Sequence, residues 1–340
     1  MKRTLLAAAA LLAAAPAFAQ SSNVTLYGII GVDYLNATKV YNATTGTLRT
    51  VNRLDDNAIV NSRFGLKGSE ALGGGTSAVF GLEASVRPDT GTVASTFWNR
   101  GSYVGLTGDF GSVKFGRQWD VADDYMGKYF VFGYYSPFLF GDYASLSNLY
   151  NNAIKYNSPV IGGFQGGVFY GFGEQPGSVS TNQVFQAAAA YDVGPFSIGL
   201  TSYSDKGTPS RQTMNAGGLA YNFGVLNTRL GFAAAKTVTP GSPDVKSRLF
   251  DVGVDVPITA AASASLDWVK RDLRDSASDT SYVRLRGTYA LSKRTSLNAN
   301  LIFLRNTGAA NFAFVTDGNG FAGSPGQKQR ILTTGITHSF

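Results

Sequence analysis

Along most of this chain apolar and polar residues alternate one for one. In residues 282–290, Val283, Leu285 and Tyr289 fall on one parity and Arg284, Arg286 and Thr288 on the other. In 248–256, Phe250, Val252, Val254 and Val256 oppose Asp251 and Asp255, and in 296–305, Leu297, Ala299, Leu301 and Phe303 oppose Asn298 and Asn300. Successive side chains of a strand point to opposite sides of a sheet, so each such stretch reads as a strand with one apolar and one polar face. Sixteen segments, of roughly 8 to 12 residues in most cases, carry this signal, and none carries helical periodicity. They fall at 25–35, 60–69, 77–86, 101–107, 112–118, 153–158, 164–172, 184–192, 196–204, 215–222, 227–236, 248–256, 262–271, 282–290, 296–305 and 329–340.

The connections between them alternate in length. Seven are short and rich in turn formers, at 71–75, 108–111, 159–163, 193–195, 223–226, 257–261 and 291–295. The other eight are longer and polar, among them 36–55, 87–99, 119–152 and 306–328. Short turns therefore share one rim and long loops the other, as in bacterial outer-membrane barrels, and an even count returns both termini to the short-turn side. Periodicity alone does not tell inside from outside. Strand number does: a ring of sixteen strands encloses more space than side chains fill, so the polar face lines a wet interior and the apolar face meets lipid. The expected fold class is all-β, a 16-stranded antiparallel transmembrane β-barrel. Tyr34, Tyr191, Trp268 and Tyr289 lie near strand ends, where they serve as interfacial aromatics or as ordinary strand formers.

Composition sharpens the picture. Only 15% of residues are charged, against the quarter or so typical of soluble domains, yet no stretch beyond the amino terminus has the ~18 consecutive apolar residues of a spanning helix. At the amino terminus Lys2 and Arg3 precede an apolar run that ends in Pro16-Ala17-Phe18-Ala19. That run, about 11 residues, is too short to cross a ~30 Å hydrocarbon layer and reads as a cleaved export signal. Residues 1–19 are thus the expected leader, and 20–340 one barrel domain beginning at Gln20. With no Cys and a single His, His338, third from the end, neither a nucleophile–histidine pair nor a metal site is expected. No phosphate-loop motif accompanies Gly73-Gly74-Gly75, so no enzyme activity and no cofactor are expected. The formal charge of +7 falls to about +5 once Lys2 and Arg3 leave with the leader, but no basic cluster suggests nucleic acid.

Several segments resemble those of the trimeric general porins of Gram-negative bacteria, particularly the betaproteobacterial and neisserial type. They are Val24-Thr25-Leu26-Tyr27-Gly28, Ser62 through Glu70 with Leu72-Gly73-Gly74-Gly75, Phe80-Gly81-Leu82-Glu83, Asn99-Arg100, Tyr103-Val104-Gly105-Leu106, Phe110-Gly111, Gly116-Arg117-Gln118, Lys155 through Pro159, and Gly335 through Phe340. The resemblance implies a homotrimer packed through its outer walls, passive diffusion of ions and small hydrophilic solutes, and a third external loop folded into the barrel to narrow the pore. It also implies an outer-membrane setting of lipid and lipopolysaccharide, with the terminal Phe340 read by the barrel-assembly machinery. The third loop would be 119–152. It carries Asp120, Asp123, Asp124 and Asp142 beside the bulk of Tyr129, Phe130, Phe132, Tyr134, Tyr135, Phe138, Leu139 and Phe140. The facing cationic wall is carried onto Arg63 and Arg100, then Lys155, with Lys67, Lys114 and Arg117 as extensions and Glu83 as a lumen counter-charge. Arg117 shares the parity of Val113 and Phe115, which places it at the rim as readily as in the lumen. Such a basic lumen implies a modest preference for anions. Two other readings fit the same pattern: a facilitator specific for one solute class, whose loop aromatics stack sugars, and a structural or adhesive barrel with a closed lumen.

Overall fold

The alternating segments hydrogen-bond edge to edge around a closed ring. The computed structural model describes residues 22–42, 44–56, 60–131, 135–274, 276–315 and 323–340. The leader expected at 1–19, Gln20, and the loop residues Phe132 and Tyr134 lie outside them. Among the described residues the strand segments are β1 (Ser22–Asn42), β2 (Thr47–Asp56), β3 (Arg63–Gly73), β4 (Thr76–Arg87), β5 (Thr92–Val93), β6 (Gly101–Gly108), β7 (Gly111–Trp119), β8 (Leu149–Asn157) and β9 (Phe164–Gly171). They continue as β10 (Val184–Val193), β11 (Phe196–Asp205), β12 (Arg211–Asn222), β13 (Asn227–Val238), β14 (Val245–Pro257), β15 (Ala262–Leu273), β16 (Thr280–Ala290), β17 (Thr295–Asn306) and β18 (Lys328–Ser339). β2 and β3 both lie along one side of β1 and act as a single stave, while β5 pairs only with the end of β4. The eighteen segments thus make sixteen staves.

All pairings are antiparallel, and β18 closes on β1 with Ile29 opposite Ser339 and Thr38 opposite Arg330. Closure leaves no edge to template aggregation. The last residue completes the seam. Gly28 N donates to Phe340 O at 3.2 Å and Phe340 N to Gly28 O at 3.0 Å. A Cβ on Gly28 would stand 2.4 Å from Phe340 Cζ, so the terminal ring packs where only glycine leaves room.

One connection differs from expectation. Residues 36–55 are mostly strand: β1 continues to Asn42 and β2 returns beside it from Thr47, with 44–46 as the described turn residues between them. The strand expected at 60–69 is therefore the lower part of a stave that begins at Thr47. The cause is a register shift between Ala37 and Val40, with Lys39 at φ 55°. The extra residue inverts the phase of the alternation, so a period-two pattern read from Leu35 onward breaks although the hydrogen bonding does not.

Parity maps onto exposure. Val252, Leu285 and Phe303 are 41%, 50% and 52% exposed, whereas Asp251, Arg284 and Asn300, on the opposite parity of the same strands, are 1% exposed. Apolar residues point away from the ring in strand after strand, a belt too extensive for a protein surrounded by water. Hydrocarbon accommodates it, and the strands are what cross.

Candidate functional site

The buried cluster inside the ring joins wall residues such as Leu35, Phe169, Leu249 and Ile302 to the connection between β7 and β8, residues 120–148, which opens with a short helix, α1 (Val121–Met126). Asp120 caps that helix: its Oδ1 accepts from Asp123 N at 3.0 Å, and its Oδ2 accepts from Asn148 N at 3.1 Å. The two ends of the loop are thereby tied together. Asp120 is fully buried in this role and presents no charge to the lumen.

The loop side chains meet the polar parity of the far wall. Gly199, Gly218 and Gly231 stand in register on β11, β12 and β13 and form a trough without side chains. A Cβ on Gly218 would lie 2.2 Å from Tyr129 Cβ, and one on Gly231 2.6 Å from the Phe130 ring. Around the trough, Tyr129 Oη and Ser197 Oγ share a hydrogen bond of 2.8 Å, and Val131 N donates to Asp251 Oδ2 at 2.7 Å. Gln186 accepts from Ala122 N at 3.0 Å and donates to Ser145 O at 2.7 Å. Asp142 pairs with Arg271 at 2.9 Å and accepts from Ser247 Oγ, so it anchors the loop to β14 and β15 rather than facing the arginines. Neither the glycine trough nor Arg271 stood out in the sequence, where each glycine reads as a turn or bulge and each lumen charge looks like its neighbours.

On the opposite wall Arg63 opens β3, Glu83 lies on β4, and Arg100 immediately precedes β6. Arg100 Nε lies 2.7 Å from Glu83 Oε1, Arg63 Nε 3.4 Å from Glu83 Oε2, and Tyr27 Oη donates to Oε2 at 2.9 Å. Two guanidiniums thus share one carboxylate, which leaves this cluster with one net positive charge. The Arg100 guanidinium also sits 5.1 Å over the Trp119 ring. Across an open gap stand Asp123, Ser136, Phe138, Leu139 and Ser147 of the loop, which line one cavity together with Arg63, Glu83 and Arg100. Asp123 Oδ1 accepts from Ser147 Oγ at 2.6 Å. Burial nevertheless raises the Asp123 pKa above the usual carboxylate value, and the nearby Asp124 charge adds to the rise.

The remaining expected residues occupy distinct places. Lys155 is 5% exposed beneath the loop and bound to Asp124 at 2.8 Å, a neutralised pair rather than a free rung. Lys114 lies opposite Lys155 in register and 4.9 Å over Tyr103, and Lys67 lies 5.1 Å over Tyr27. Both line a hollow nearer the short-turn rim. Arg117 pairs in register with Ser102 on the parity of Phe115 and Val104, the outward face, and donates from Nε to Asn99 O at 2.6 Å. Lys155 and Arg117 therefore stand apart from the Arg63–Arg100 cluster. On the far wall a second charged group, unremarked in the sequence, joins Arg229 to Asp255 and Asp267, with Arg284 Nε 2.9 Å from Asp267 Oδ2. No cluster of three or more potential metal ligands occurs among the described residues.

This arrangement has parallels. The description of the Gram-negative porins matches residues 5–309. Outer membrane porin protein 32 of Delftia acidovorans is 31% identical over the full length of both chains, and an outer membrane porin protein of Bordetella pertussis 30% identical, also over both full lengths. Among solved structures, an anion-selective porin from Comamonas acidovorans superimposes with a TM-score of 0.83 at 30% identity, covering 94% of this chain and 100% of that one. The outer membrane protein OmpT of Vibrio cholerae, at 14% identity and a TM-score of 0.71, shares the fold, covering 94% of this chain and 98% of its own.

Proposed function

This chain belongs to the Gram-negative porin family, and on that premise we propose that the gap between the Arg63–Glu83–Arg100 cluster and the Asp123 side of the 120–148 loop is the filter of its diffusion channel. The protein is an outer-membrane porin, a channel for small solutes and not an enzyme. The loop, seated in the Gly199–Gly218–Gly231 trough, narrows the lumen from one side while the arginines form the other. The net positive charge left on the arginine wall carries this reading. Between walls of low dielectric its field is focused on the aqueous gap, where it favours anions and orients dipolar solutes. Asp123 opposes it weakly, because burial penalises its charged form.

Bilayer recordings of the purified protein in neutral lipid across a salt gradient test this. Reversal potentials should report a modest anion preference, and Arg63→Gln with Arg100→Gln should abolish it; cation preference in the parent protein would refute the assignment. The same reading makes the assembly a homotrimer joined through outer barrel walls, checked by the mass of the native complex. It also has the chain exported by a leader cleaved after Ala19, checked by sequencing the mature amino terminus.

A further inference from the structure

A second hollow opens inside the ring at the long-loop ends of β13 to β16. Register places Thr237 opposite Val245 and Arg271 opposite Thr280, all on the lumen parity. Facing them are Phe140 and Asp142 of the 120–148 loop, Ser276 and Ser278 of the connection between β15 and β16, and Asn311 and Phe312 of the connection between β17 and β18. The space they line is about 630 Å³, within the range of small-molecule sites. It shares no described lining residue with the cavity at Arg63 and Arg100.

Hydrogen bonds hold this hollow in shape. Ala309 N donates to Ser278 Oγ at 2.9 Å and Thr307 N to Asp279 O at 2.9 Å, which ties the two connections together. Asn306 accepts from Thr280 Oγ1 at 2.7 Å and donates to Phe312 O at 2.6 Å, so the Phe312 backbone is fastened to the wall. The Phe312 ring packs against Phe140 with centroids 4.5 Å apart; Phe140 is buried, whereas Phe312 stays partly exposed. The Arg271 guanidinium sits 5.9 Å over the Phe140 ring. Asp142 engages Arg271 Nε at 2.9 Å and Nη2 at 2.9 Å, but Nη1 has no hydrogen-bond partner among the described residues. Asp142 and Arg271 are the only charged groups of the described lining, and they cancel. Asp279, which accepts from Leu273 N at 3.3 Å, is itself paired with Lys270 at 3.0 Å. The hollow thus combines an aromatic face, an unengaged N–H donor and several hydroxyls, with no net charge.

We propose that this hollow is a binding site for a neutral polyhydroxylated ring, a pyranose sugar, in the long-loop vestibule. The apolar face of the ring lies on Phe312, where its C–H groups meet the negative face of the aromatic. Its edge hydroxyls accept from Arg271 Nη1 and exchange hydrogen bonds with Thr237, Ser278 and Asn311. The cancelled charge selects this class, since an anion would meet Asp142 beside Arg271 and a cation would meet Arg271 beside Asp142. Arg271 is then a binding group as well as an anchor of the loop. The stacking ring comes from the connection between β17 and β18 and not from the aromatic run of the 120–148 loop. The inference goes beyond the filter and does not depend on which ions pass it.

The test is isothermal titration calorimetry of the protein purified in a detergent without a sugar headgroup, with maltose, mannitol and benzoate as titrants. Maltose should bind saturably, and mannitol, which has the hydroxyls but no ring, roughly fivefold or more weakly. Phe312→Ala and Arg271→Lys should each weaken maltose binding by roughly fivefold or more, through loss of the aromatic face in one and of the Nη1 donor in the other. Arg271→Lys keeps a cation beside Asp142, and Phe312→Ala keeps the Asp142–Arg271 pair itself, so the two variants probe the site independently. Absence of saturable maltose binding overturns the proposal, as does parent-like binding by both variants. So does benzoate that competes with maltose and binds more tightly, which would mark an anion site. Salt-gradient reversal potentials on the same preparations report the filter separately, so failure of one assignment leaves the other standing.

Discussion

Glu83 governs the charge of the arginine cluster, because its two oxygens are divided between Arg100 and Arg63 while Tyr27 adds a hydrogen bond. Glu83→Gln keeps the shape and removes the compensation, so the anion-to-cation permeability ratio in a salt gradient should rise by roughly two- to fivefold, the scale of a modest change in local potential. Asp123 supplies a pH dependence. Its carboxyl charge is present above its pKa and lost below it, and burial raises that pKa. As pH falls, Asp123 is protonated before ordinary exposed carboxylates, which titrate near ~4, so anion preference should grow on acidification beginning above that value. Reversal potentials across a pH series check this, and Asp123→Asn should flatten the curve. At this scale Arg63, Arg100 and Glu83 were legible from parity together with a family resemblance. Asp142 and Lys155 were visible as charges but not in their roles, since what neutralises them lies on distant segments: Arg271 for the one, the loop helix for the other.

Among the elements, the 120–148 loop was recognisable by its length and aromatic content, while its seat was not. The seat consists of three glycines on three strands that become neighbours only through strand pairing. Gly218→Val should push Tyr129 off the trough and displace the loop, since the added Cβ falls 2.2 Å from Tyr129 Cβ. Single-channel conductance and open-channel noise should both increase, with the barrel intact because the outward parity is untouched. Loss of a helix cap typically costs about 1 kcal/mol, and Asp120→Ala should loosen both ends of the loop by about that amount or somewhat more. Thermal unfolding together with channel noise would show it. The β1–β2 hairpin teaches the complementary lesson. Its strands were partly hidden because one inserted residue at Lys39 reverses the alternation, and a periodic signal has no memory across a bulge.

Over the whole molecule the governing feature is a ring apolar outside and polar inside. Val252→Arg places a charge in the outward belt and should destabilise the folded barrel by ~2–4 kcal/mol, whereas Thr288→Arg on the lumen face should cost less than half of that. Urea-induced unfolding of the two variants in lipid vesicles compares them directly. The strand periodicity, the even count and the division of rims into short turns and long loops were determined by the sequence alone, because each depends on neighbours a few residues apart and on the two-residue repeat of the strand. The tertiary structure alone decided which lumen charges cancel and where the loop rests. These depend on the register between strands remote in the chain, and that register is a property of the closed ring.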